Sequence, residues 1–195
     1  WVWLSCRDGC LQVVTGSGFV SEHSLSSAWL SSWASAVSGV LGEMTEGFER
    51  KHGFPPGTNQ IRLASHDDQG AVRALGTDVR APHDLVVFYG SIGEVVWADV
   101  GNGYFIHPAR DLLQHLADYG PICVGESQEP CGLVIGSDGG GRSYIVSPDG
   151  SVHRTRTASL EDPESDKVAD DLRHFLELLE QSLVRFVATG EPGYL

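Results

Sequence analysis

Between Ile122 and Arg154 the chain reads ICVGESQEPCGLVIGSDGGGRSYIVSPDGSVHR. Four short apolar runs, Ile122 to Val124, Leu133 to Ile135, Tyr144 to Val146 and Val152 to Arg154, have the β-branched and aromatic content of strands. The joins between them are short. Pro148-Asp149-Gly150 is a turn with a mechanism: proline presets one backbone angle, Asp bonds its own backbone and Gly accepts a positive φ. The stretch therefore predicts an antiparallel meander, with Ser137-Asp138-Gly139-Gly140-Gly141 as its second connection.

The remaining elements arrange themselves around that meander. Trp1 to Gly16 predicts a hairpin on the Asp8-Gly9 turn signal. In that register Cys6 and Cys10 are diagonal neighbours, which argues against a disulfide between them. From Ser24 to Leu41 the residues Leu25, Trp29, Trp33, Ala36, Val37 and Val40 recur at helical spacing. Serine is a mediocre helix former, so the Trp-bearing face must stabilise this helix by packing. Gly53-Phe54-Pro55-Pro56-Gly57 reads as a loop and as the boundary between an N-terminal appendage (1–57) and the main domain (58–195). Ile61 to Ala64 predicts a short strand, and Asp67 to Leu75 a short helix capped near Ser65 and closed by Gly76. Pro82 opens a helix predicted to reach Val96. Trp97 to Val100 and Tyr104 to His107 read as strands around Gly101-Asn102-Gly103, and Pro108 starts a helix over Ala109 to Tyr119. The last helix is predicted from Asp166 to Ala188, ending at Gly190 and Pro192.

Composition narrows the function classes. Twenty-six acidic residues stand against 13 basic ones, for a formal net charge of −13. Such a surface repels nucleic-acid phosphate and suits a basic protein partner, though acidity also serves plain solubility. No apolar run approaches the ~20 residues of a membrane span, and the N-terminus lacks the pattern of a secretory signal. The chain begins at Trp1 and its single methionine is Met44, which reads as a piece of something longer. Four cysteines in 195 residues do not make a disulfide framework, which points to a reducing cytoplasm.

Motifs for chemistry are weak. The loop Gly136 to Arg142 lacks the Gly-Lys-Ser/Thr ending of a phosphate loop and leads into a strand, not a helix. Cys6 with Cys10, and His107 with His115, match no tetrahedral ligand spacing, so no metal or cofactor is expected. The first meander connection makes Cys123 and Cys131 neighbours, leaving open a bridge or a shared ligand set. No Gly-x-Ser-x-Gly elbow exists, and the adjacent carboxylates Asp67-Asp68, Glu161-Asp162 and Asp170-Asp171 do not converge on one substrate atom. No catalytic residues are therefore expected.

The ordered set from about residue 67 to residue 179 resembles the SUKH superfamily, the Smi/Knr-like proteins. Val79 to Tyr89, with Pro82, Leu85, Phe88 and Tyr89, is similar to the family's Leu-Pro-x-x-Leu-x-x-Phe-Tyr helix start. The turn Gly101-Asn102-Gly103, the Pro-x-x-x-Leu start at Pro108 to Leu112, and Ile135 to Gly141 with its Gly-rich turn follow in the family's order. So do the hairpin at Pro148-Asp149-Gly150 and the closing helix at Val168 to Leu176. Ala81, Arg142 and Leu172 depart from the common pattern, and the first sixty residues are not covered. The resemblance implies an α+β domain, an antiparallel sheet with flanking helices, here with an added N-terminal hairpin and helix. It also implies a non-enzymatic, protein-binding role. Most such proteins are immunity proteins that bind and neutralise toxins, often nucleases; a fungal branch is regulatory.

The expectation is thus a cytoplasmic bacterial immunity protein, with no membrane partner and no direct nucleic-acid partner. The candidate partner surface combines Asp99, Asn102 and Tyr104, the turn residues Asp138 and Arg142, and the loop residues Glu161, Asp162 and Glu164. The alternatives are a regulatory scaffold domain of a larger protein or pathway, or a small enzyme or enzyme-accessory domain that uses the N-terminal region.

Overall fold

The computed structural model describes residues 25–123, 131–161, 164–193 and 195; the expected Trp1–Gly16 hairpin and Asp162 lie outside them. Within that range the chain is an α+β fold, one antiparallel sheet flanked by helices.

The chain starts with α1 (Ser27–Thr45) and α2 (Phe48–His52). Helix α1 begins where the Ser26 hydroxyl accepts a hydrogen bond from the Trp29 N–H. It buries Leu30, Trp33, Ala34, Val37 and Leu41, one stripe at helical spacing. Trp33 lies near Trp97 in the sheet, with ring centroids 6.4 Å apart, and its Nε1–H donates to the Leu176 carbonyl at 3.2 Å. Helix α1 therefore shares one hydrophobic cluster with the sheet and the last helix.

Strand β1 (Asn59–Leu63) leads through a single 3-10 turn into α3 (Gln69–Leu75). Asp68 fixes that turn: its carboxylate accepts from the Ser65 N–H and hydroxyl, both at 2.8 Å, and pairs with Arg62. Helix α4 (His83–Ser91) is shorter than the Pro82–Val96 helix the spacing predicts, because the chain turns into strand β2 (Ile92–Trp97). Ile92, Val95 and Val96 are β-branched, and pairing with β1 on one side and β3 (Tyr104–Ile106) on the other decides their conformation. Residues 98–103, half of them predicted as strand, form the turn between β2 and β3. Helix α5 (Ala109–Tyr119) has the predicted bounds.

The meander follows as β4 (Ile122–Cys123), β5 (Cys131–Asp138), β6 (Ser143–Val146) and β7 (Val152–Thr155). Cys123 and Cys131 are directly opposed across β4 and β5 and are joined by a disulfide. That bridge removes the inference of a reducing compartment from the cysteine count. Strand β8 (Ser165–Ala169) replaces the first turns of the predicted last helix. Val168 fits the helical period, yet these residues pair with β7 as an edge strand. The helix, α6 (Leu172–Thr189), begins where the Asp171 carboxylate accepts from the His174 N–H at 2.7 Å.

The sheet order is β1-β2-β3-β5-β6-β7-β8, with β4 also pairing β5. Side chains alternate across it. Leu133, Tyr144 and Val146 enter the main core with α1, α4, α5 and α6. Val134 and Ile145 point to the other face, where Ile122 and Leu160 join them in a small second cluster. The register shifts between Val134 and Gly136, so Ser137 faces Ser143 and Phe105 on that second face.

Candidate partner-binding surface

Three segments predicted separately meet at one end of the sheet. Two of them are locked together by glycine. The Gly139 N–H donates to the Gly103 carbonyl at 3.2 Å, and a side chain at Gly139 would collide with the Asn102 carbonyl oxygen. The third follows β7: a side chain at Gly141 (φ +81°) would press on Ala158, with 3.1 Å between the two Cβ atoms.

Within this end the candidate residues have unequal roles. Asp99 holds the turn to the chain ahead of β1. Its Oδ2 accepts from the Gly57 N–H at 2.7 Å and from Asn59 Nδ2 at 2.6 Å. Tyr104 is 4% exposed and packs on Trp97, so it is a core residue and not a contact surface. Burial pushes its phenol pKa up, and a hydrogen bond with Ser182 opposes this. Asp138 is also 4% exposed. One of its oxygens accepts from the Gly140 N–H at 2.9 Å and the Arg142 N–H at 3.0 Å; the other takes Arg142 Nε at 2.7 Å. Asp138 and Arg142 therefore close their own turn, and the Asp138 carboxylate is not available to a partner. Sequence reasoning took both Asp138 and Tyr104 as surface residues because each flanks glycines; only the strand register reveals their burial.

Asn102 and Glu161 are exposed. Glu164 is exposed too, and pairs with Arg156 at 2.9 Å; Arg156 also binds Asp166 at 2.8 Å. The two acidic partners hold the Arg156 guanidinium pKa above its ordinary value, Asp166 most strongly. Asn102, Glu161 and Glu164 are thus the described candidates that are exposed, while Asp99 and Arg142 are half-buried.

Beside the Asp138–Arg142 turn, between α5 and the sheet, opens a cleft of about 440 Å3. Its floor is Val134, Gly136, Ser137 and Ser143; its walls are Asp111, Leu112 and His115 of α5 and Leu160 of the loop after β7. His107, at the end of β3, lines it with Nε2 at 3.3 Å from the Ser137 hydroxyl. Burial pushes the His107 pKa down, and His115 adds to this; the carboxylates of Asp111 and Glu94 oppose it. The sequence marks His107 and His115 only as a histidine pair. Asp111 and His115 fall four apart on one helix, but Ser137 joins them only through the β3–β5 pairing, which no local pattern encodes.

Among the described residues no group of three or more His, Cys, Asp or Glu side chains is placed to hold a metal ion. No helix among them is long and apolar enough to cross a membrane.

No family model matches the chain, and no curated protein does.

Proposed function

We propose that this chain is a non-enzymatic protein-binding module of immunity type, which binds a basic toxin, of nuclease kind, and neutralises it by covering its working surface. The observation that carries this reading is the meeting of the 99–104 turn, the 138–142 turn and the loop after β7 at one end of the sheet, with a cleft beside the last two. A rigid, glycine-locked platform suits binding with little ordering cost. The net charge of −13 suits steering of a basic partner. An α+β sheet with flanking helices is also what the SUKH resemblance implies.

In this mechanism the accessible Glu161 and Glu164 accelerate encounter, while the platform supplies the buried contact. The paired double variant E161K/E164K should slow association several-fold at low salt, with the difference shrinking as salt rises. An association rate unchanged at low salt would remove the loop from the interface. The cytoplasm of the producing cell is proposed on the SUKH resemblance alone, since the Cys123–Cys131 bridge does not speak for a reducing compartment. Protein taken from native cells should then carry Cys123 and Cys131 as free thiols, and a bridge found intact there would contradict the placement.

The function itself is tested by capture and reconstitution. The tagged chain is used as bait in lysate of its native host, and the captured protein is purified and assayed. The expected result is a basic partner whose toxic activity falls to zero at one equivalent of this chain. A partner whose activity is untouched by a saturating excess would overturn the immunity reading.

A further inference from the structure

The cleft has a chemistry of its own. Among the described residues Asp111 is the one carboxylate lining it and neither Lys nor Arg lines it; the neighbouring Arg110, itself largely exposed, reaches Asp111 from outside at 3.4 Å. Its polar side chains are one acceptor-only carboxylate, with two imidazoles and the hydroxyls of Ser137 and Ser143, each of which can accept as well as donate; His107 and Ser137 already share a hydrogen bond and keep the hydroxyl's remaining lone pair for a donor. Leu112, Val134 and Leu160 supply an apolar wall. A ligand that fits this pattern has an aliphatic stem and a planar cationic head with several donors. That is the description of an arginine side chain; a lysine head is a point charge with fewer directed donors.

We propose that this cleft receives an arginine side chain of the partner, with the guanidinium on Asp111 and the inner acceptors at His107, Ser137 and Ser143. The inference rests on the reading of the partner as a basic protein and names the group that this end of the sheet recognises. It carries a pH dependence. The imidazole of His107 is faced by Asp111 and His115 from α5 and by Glu94 from β2, and is half-buried. Protonating it places a second cation beside the guanidinium and turns an acceptor into a donor, so binding weakens as pH falls.

The test uses the full chain, isotopically labelled, and N-acetyl-arginine amide as the probe. The His107 and His115 imidazole signals and the Ser137 and Ser143 amide signals are followed by NMR at low ionic strength. Saturable shifts at these four residues are expected, at least five-fold weaker with N-acetyl-lysine amide and absent with inorganic phosphate. D111N should weaken the arginine probe at least five-fold. H107Q replaces the titrating ring by a neutral amide and should flatten the pH dependence of whatever binding it keeps; a pH dependence as steep as the parent's would overturn the role given to His107. Equal binding of the lysine probe, stronger shifts with phosphate, or arginine shifts indifferent to D111N would each overturn the proposal. The two readings fail separately. A partner neutralised by a chain whose cleft ignores arginine would sink only this inference. Arginine binding by a chain that neutralises nothing would sink only the immunity reading.

Discussion

Replacing Asp138 by alanine should damage the fold before it damages recognition. The carboxylate accepts from two backbone N–H groups, at 2.9 and 3.0 Å, and is bridged by the Arg142 guanidinium at 2.6 and 2.7 Å. Its side chain is 2% exposed, against 34% for Arg142. Breaking a fully buried pair costs about 3–5 kcal/mol, but Arg142 regains water once released, so only part of that applies. The freed N–H groups lie on an accessible turn and add about 1 kcal/mol. The sum is about 2–3 kcal/mol, or ~5–10 °C in Tm for a domain of this size. D138N keeps one acceptor oxygen for the backbone and should lose about half as much. The assay is urea unfolding followed by tryptophan fluorescence, with thermal melts alongside. A D138A protein within 0.5 kcal/mol of the parent would refute the structural role argued here. If the same protein also lost partner affinity, Asp138 would return to the interface.

Three further outcomes follow from the same physical chemistry. Trp33→Ala removes a buried ring that spans α1, β2 and α6, and should cost about 3–5 kcal/mol by urea unfolding; a cost below 1 kcal/mol would mean that α1 is not part of the main core. The hydrogen bonds from Arg62, and then from Ser65, hold Asp68 well below its ordinary 3.8, so its contribution is complete above that value and is lost as pH falls below about 4. D68N should therefore be about 2 kcal/mol less stable at pH 7, with the gap to the parent closing towards pH 2; a gap independent of pH would contradict the assignment. The Cys123–Cys131 bridge closes a short loop, eight residues apart in sequence, so chain entropy alone makes it worth about 2.5 kcal/mol. The C123S/C131S protein should show that loss in urea, and an unchanged midpoint would refute it.

Elements with strong local signals were legible in the sequence. Helix α5 has the predicted bounds because Pro108 starts it and Gly120 follows it. The Ser65 cap, the Pro148-Asp149-Gly150 turn and the four meander strands follow from turn chemistry and β-branched content. Elements decided by tertiary pairing were not. Ile92 to Val96 carries on the apolar spacing of α4, and Ser165 to Ala169 contains little that favours a strand, yet each is fixed by its neighbours in the sheet. The candidate surface divides in the same way. Its three segments were visible as turns, and their meeting place is set by Gly103 against Gly139 and by Gly141 against Ala158. Burial of Tyr104 and Asp138 was hidden because residues beside glycine turns look solvated in sequence. The cleft was hidden because His107 and Ser137 are thirty residues apart and meet only across two strands.

Hydrogen exchange on the purified complex with the captured partner tests the account most directly. Binding through the glycine-locked end predicts new protection at Asn102–Gly103, Gly139–Arg142, residues 156–161 and the first turns of α5. Protection confined to another surface, such as the aromatic group of Phe48, His52 and the exposed Phe54, with the glycine-locked end unchanged, would contradict it.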